Sequence, residues 1–144
     1  MAWIKALFGV IAAFNGSLIP SNVVRFSQMY AAGGVSVNCT ETYVSKSGTG
    51  WGNVGTSEAY DFTDYTTLTI SGEITSYQGN DLVLGYGPSR YSGFDLYNHM
   101  TTHQDLNGNR TFTVTFDISS RTGYYFVLIG GGNMNYRIDS AVLS

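Results

Sequence analysis

Residues 111–118, Thr-Phe-Thr-Val-Thr-Phe-Asp-Ile, alternate polar and apolar side chains without interruption. Successive side chains of a β-strand point to opposite faces, so Phe112, Val114, Phe116 and Ile118 share one face. Thr111, Thr113 and Thr115 take the other, where β-branched hydroxyl residues suit a pleated, solvated surface. The pattern specifies an antiparallel sheet with one wet side.

The same period recurs along the chain. Residues 35–44 read as a strand, as do residues 65–74, with Leu68, Ile70 and Ile74 inward, and residues 82–86. Residues 124–129 are apolar on both faces, as a central strand covered on both sides requires. Residues 136–143 form the last strand, expected to pair with the first. Residues 45–55 and 87–109 are rich in small and polar residues and read as loops. Gly130-Gly131-Gly132-Asn133 reads as a turn, since it lacks the lysine and the helix of a phosphate loop. Six or seven strands at this spacing imply a mainly β fold, an antiparallel β-sandwich or jelly-roll.

Composition narrows the function class. A 144-residue chain with 43% hydrophobic residues sustains one core-bearing domain. Charged residues make up only 12%, while Gly (18) and Tyr (11) are abundant, so the surface is uncharged but hydrogen-bonding. Such surfaces occur on extracellular and virion proteins and on glycan binders. The net charge is −3 and the seven cations are scattered, which argues against a nucleic-acid partner. Cys39 is the single cysteine, so no intrachain disulfide forms. It alternates with Val35, Val37 and Tyr43 and reads as a buried structural thiol.

The N-terminus is of a different kind. Residues 6–14, which follow Lys5, carry no charge, a make-up that resembles a secretory signal peptide. The run is too short to span a bilayer, which takes about 20 apolar residues. As a retained helix it carries Trp3, Ile4, Leu7, Phe8, Ile11 and Phe14 along one stripe and is otherwise apolar except for Lys5. A helix apolar all round needs burial on every side, so residues 1–34 are expected to be an anchor or oligomerisation segment docked on another chain. Residues 35–144 are then the sandwich. Ser21 can cap a second short helix ended by Gly33-Gly34, the preferred reading for that stretch. The alternative makes residues 23–30 a strand with Val24, Phe26, Gln28 and Tyr30 on one face.

Glycan recognition needs aromatic faces for sugar C–H surfaces and planar polar groups for hydroxyls. Trp51 lies in a glycine-rich loop, and Tyr86, Tyr91, Tyr97, Asn98 and His99 lie in or beside the long connection, where sandwiches commonly place binding residues. These six are the candidate glycan-binding residues. His99 and His103, with Asp95 or Asp105, make a weak zinc set without a strong third ligand. Residues 105–109 lack the terminal glutamate of a calcium loop, and a plain turn explains Asn107-Gly108-Asn109. No metal or other cofactor is expected. The glutamates Glu41, Glu58 and Glu73 show no paired-carboxylate motif and there is no nucleophile elbow, so no enzymatic activity is expected.

Tyr60-Asp61-Phe62-Thr63-Asp64-Tyr65-Thr66-Thr67-Leu68-Thr69-Ile70 resembles a strand opening of phage-encoded β-sandwich modules. Residues 116–120 and 122–130 resemble their penultimate hairpin, and residues 137–143 their final strand. Such modules occur in tail, neck and head-fibre proteins and are similar to carbohydrate-binding jelly-rolls. The resemblance covers residues 35–144 and implies a structural or interaction protein of a phage virion, binding host-surface glycans. Its implied partners are other virion proteins and further copies of itself, a trimer being one arrangement. The alternative is a secreted carbohydrate-binding module with residues 1–14 as export signal.

Overall fold

The computed structural model describes residues 21–31, 35–40, 42–48, 52–77, 82–88, 110–131 and 134–144. Within them the strands are, in chain order, β1 (Ser27–Ala31), β2 (Val35–Cys39), β3 (Val44–Gly48), β4 (Gly52–Gly55), β5 (Tyr60–Asp61), β6 (Thr67–Tyr77), β7 (Leu82–Gly87), β8 (Thr111–Asp117), β9 (Tyr124–Gly131) and β10 (Met134–Leu143). They make two five-stranded antiparallel sheets. One runs β2-β3-β10-β6-β8; the other runs β1-β4-β9-β5, with β7 on the opposite edge of β9. From β6 to β10 consecutive strands alternate between the sheets, so the pairings β6–β8 and β7–β9 each skip one strand and β6–β10 skips three.

One core lies between the sheets. Leu68, Ile70, Ile74 and Ile138 enter it from one, and Val54, Leu82, Leu84, Val127 and Ile129 from the other, all fully buried. Interdigitated inner faces of this kind define a β-sandwich. The alternation in β8 is realised: Phe112, Phe116 and Ile118 are buried, while Thr111, Thr113 and Thr115 are exposed. On the wet face the β6–β8 register sets hydroxyls opposite one another, Thr69 Oγ1 with Thr115 Oγ1 at 3.1 Å and Ser71 Oγ with Thr113 Oγ1 at 3.0 Å. Gly72 lies opposite both Phe112 and Ile138, where a Cβ would strike the Arg137 carbonyl and the Phe112 ring.

Several expectations are corrected. Ser27–Ala31 is a strand and no residue from 21 to 31 is helical. Val24 and Phe26 are core residues, so this stretch belongs to the sandwich, in line with its β-branched Val23-Val24 and alternating burial. Residues 35–44 do not form one strand. The chain turns after Cys39, with the Thr40 N–H donating to the Tyr43 carbonyl at 2.8 Å, and Val44–Gly48 returns as β3. Gly52–Gly55, read as loop, is β4, and Gly130 and Gly131, read as turn, are paired on both sides within β9. The last strand lies between β3 and β6 and does not pair with β2; beyond Ile138 its free side is taken by residues 22–24. The expected anchor helix, with Trp3, Ile4, Leu7, Phe8, Ile11 and Phe14, lies outside the described residues.

Candidate functional site

The segment before β1 crosses from one sheet to the other. At its start the Leu143 N–H donates to the Asn22 carbonyl at 2.9 Å, and the Val24 N–H to the Ala141 carbonyl at 2.8 Å. At its end β1 pairs with β4. Between these ties Val24 and Phe26 point into the core, which turns Arg25 outward by the period of two.

Facing it is the link from β4 to β5. Thr56 is buried, exchanging hydrogen bonds with Val127: its N–H donates to the Val127 carbonyl at 3.1 Å, and its Oγ1 accepts the Val127 N–H at 3.2 Å. At the far end Asp61 Oδ1 accepts from the Thr63 N–H (3.0 Å) and Thr63 Oγ1 (2.6 Å). These two bonds hold the exposed Asp61 carboxyl below the usual carboxylate range. Thr63 Oγ1 in turn accepts the Gly123 N–H at 3.0 Å, and the Phe62 N–H donates to the Gly123 carbonyl at 2.8 Å. Fixed at both ends, the link displays Ser57 and Glu58 to solvent.

The two elements are joined by a bond from the Arg25 N–H to the Tyr60 hydroxyl at 2.8 Å. Around it lie two adjoining hollows of about 230 and 280 Å³, both lined by Arg25, Glu58 and Tyr60. Ser21, Val23 and Ala59 complete one, Phe26 and Ser57 the other. The cleft thus gathers an aromatic ring, a guanidinium, a carboxylate and hydroxyls in one place. Such a set can hydrogen-bond vicinal hydroxyls and cover an apolar face.

Of the residues selected from sequence, Tyr86 alone lies in the described part, and the structure withdraws it from any surface. It is fully buried, edge-on to Phe62 (5.3 Å between centroids), Phe116 (6.1 Å) and Tyr125 (5.7 Å). Its hydroxyl accepts from Arg121 Nε at 3.3 Å. The reason is register: Leu82, Leu84 and Tyr86 alternate inward on β7, so the ring belongs to the core. Trp51, Tyr91, Tyr97, Asn98 and His99 lie outside the described residues. Arg25, Glu58 and Tyr60 are not legible as a set, because nothing in the sequence joins Arg25 to the distant positions 58 and 60.

Two other polar groupings are less suited to a ligand. The hydroxyl pairs on β6 and β8 already bond each other. Glu73 and Asp139 are both held by Arg137, at 3.1 and 2.6 Å, rather than poised as an acid–base pair. Among the described residues no cluster of three or more His, Cys, Asp and Glu side chains is placed to hold a metal. Nor is any helix there long and apolar enough to cross a membrane.

No family model matches the sequence, and no curated protein matches it. Solved structures do. The glycoside hydrolase domain of Endo-D from Streptococcus pneumoniae R6 superposes with a TM-score of 0.52 at 12% identity, over 83% of this chain. The fold is shared. The match spans only 21% of that hydrolase chain, so it concerns one part of a larger protein. The carbohydrate-binding module TmCBM61, solved in complex with beta-1,4-galactotriose, aligns over 83% of this chain and 87% of its own, with a TM-score of 0.46 at 14% identity.

Proposed function

We propose that this chain is a non-catalytic β-sandwich module that binds glycans in the Arg25–Glu58–Tyr60 cleft, as a displayed component of a phage virion contacting the host surface. The observation that carries the binding reading is that Arg25, Glu58 and Tyr60 line both hollows, with the Tyr60 hydroxyl held by the Arg25 backbone N–H at 2.8 Å. A sugar ring offers an apolar C–H face and pairs of vicinal hydroxyls. Tyr60 answers the first, and the planar groups of Arg25 and Glu58 the second. The hollows are at the small end of ligand sites, which suits a terminal sugar residue more than a long chain.

The reading is non-catalytic because Glu58 is the one carboxylate among the described residues lining the cleft, whereas glycoside hydrolysis ordinarily employs two. The low charge of the whole chain supports recognition of neutral polyhydroxyl surfaces. The virion setting rests on the strand motifs of residues 60–70, 116–130 and 137–143.

Binding is tested by screening the full chain on a glycan array and titrating the strongest ligand against Glu58→Gln and Arg25→Ala. Loss of one hydrogen bond to a charged group costs about 1.5–3 kcal/mol, or roughly ten- to a hundredfold in affinity. Wild-type protein that binds no glycan, or two variants with unchanged affinity, contradicts the proposal. The setting is tested separately, by mass-spectrometric detection of the chain in gradient-purified particles. A secreted protein would instead show a mature N-terminus downstream of residues 1–14.

A further inference from the structure

Strand β8 ends its sheet: among the described residues it pairs with β6 alone. The parity of that pairing is fixed at both ends, where the Ile74 N–H donates to the Arg110 carbonyl at 2.8 Å and the Ile118 N–H to the Thr66 carbonyl at 2.9 Å. Even-numbered residues therefore turn their backbone groups to β6. Thr111, Thr113, Thr115 and Asp117 turn theirs to the opposite edge, which no other described strand pairs.

Natural sheets guard such an edge with lysine, proline or a bulge. Residues 111–117 contain neither residue, and the β6–β8 register runs without a shift, unlike those of β1–β4 and β6–β10. The side chain of Arg110 does not shield the edge either, since its Nη1 reaches back across β6 to the Thr75 carbonyl at 2.9 Å.

The sequence of this edge is nearly a palindrome about Val114: Thr-Phe-Thr-Val-Thr-Phe-Asp. We propose that β8 docks antiparallel on β8 of a second copy of this chain, about a two-fold axis through Val114, joining two five-stranded sheets into one. In that register Val114 faces its own counterpart, Phe112 faces Phe116 and Thr113 faces Thr115. The outward backbone groups of Thr113 and Thr115 then satisfy each other, as do those of Thr111 and Asp117, so parity and palindrome select the same alignment. Phe112, Phe116 and the half-buried Val114 continue the core layer across the axis, while the hydroxyl rows Thr69–Thr115 and Ser71–Thr113 continue on the wet face. The contact is remote in sequence from the Arg25–Glu58–Tyr60 cleft and does not depend on it.

The test uses full-length protein without glycan. Sedimentation equilibrium over a concentration series should give twice the chain mass. Thr113→Lys with Thr115→Lys sets lysines opposite one another across the axis and should return the mass to one chain with an unchanged far-ultraviolet spectrum. Thr115→Pro, which removes only an outward N–H, should do the same. In a Cys39→Ser background, Val114→Cys should oxidise to a covalent dimer, because directly opposed residues of a non-hydrogen-bonded pair lie about 4.5 Å apart at Cα, within disulfide reach. Thr113→Cys, two residues out of register with itself, should not. A wild type of one chain mass, an assembly that survives the paired lysines, or equal cross-linking at 113 and 114 overturns the proposal.

Discussion

The Tyr60 hydroxyl accepts the Arg25 backbone N–H at 2.8 Å and is the clasp between the first described segment and β5. Tyr60→Phe keeps the ring and removes the acceptor. An N–H left unsatisfied costs about 1–3 kcal/mol where it is screened from water, so Tm should fall measurably. Hydrogen exchange locates the effect: the Arg25 amide should exchange faster while β9 amides remain protected.

Gly72→Ala should destabilise the protein by about 1–3 kcal/mol, as overpacking of a closed core does. A Cβ there meets the Arg137 carbonyl and lies 2.9 Å from the tip of the Phe112 ring. Neither has room to yield, because Arg137 is in the β10 ladder and Phe112 is core. Guanidinium unfolding with an unchanged slope and a lower midpoint checks this. Gly123→Ala is the contrast. Nothing lies within 4 Å of its Cβ position, but φ is +90°, so the loss of roughly 1 kcal/mol comes from backbone strain alone.

The Cys39 thiol should alkylate slowly near neutral pH. Burial pushes its pKa up from 9.0 to about 11, because the thiolate is the poorly solvated form. The sign follows from linkage: folding favours the protonated thiol, so this contribution is complete below pH 9.0 and is lost as pH rises through about 11. Iodoacetamide rates on native and unfolded protein should differ most between those values.

Acid should weaken the fold from the opposite direction. Asp61 is held low by Thr63, and Asp117 by the Ser119 hydroxyl at 2.6 Å and N–H at 2.9 Å. A depressed carboxyl stabilises above its unfolded pKa of 3.8 and loses that contribution as pH falls through its folded value. Asp61→Asn with Asp117→Asn should flatten the stability profile below pH 3.8. A profile identical to wild type would show that the two turns contribute nothing.

The strands legible in the sequence were those whose inward positions are all apolar. Thr111–Asp117 and Leu82–Gly87 announce themselves because alternation and burial coincide. Val44–Gly48 hides because its inward residue after Val44 is Lys46, which is 1% exposed, and its outward residues are serines. Gly52–Gly55 has too little side chain to carry a pattern and is a strand because β9 needs a ladder partner there. Tyr86 reads as a ring beside the long connection that follows it, whereas the register of β7 places it inside. The cleft was illegible for another reason. Arg25, Glu58 and Tyr60 come together through the crossing of residues 21–26 between sheets, and no local pattern encodes that crossing.

The most direct test of the account is where a sugar lands. Amide chemical shifts of the full chain should be followed during titration with the strongest array ligand. The account predicts the largest changes at Arg25, Ser57, Glu58 and Tyr60, with Thr69, Ser71, Thr113 and Thr115 unmoved. Changes centred on that hydroxyl face, or none anywhere at saturating ligand, would contradict it.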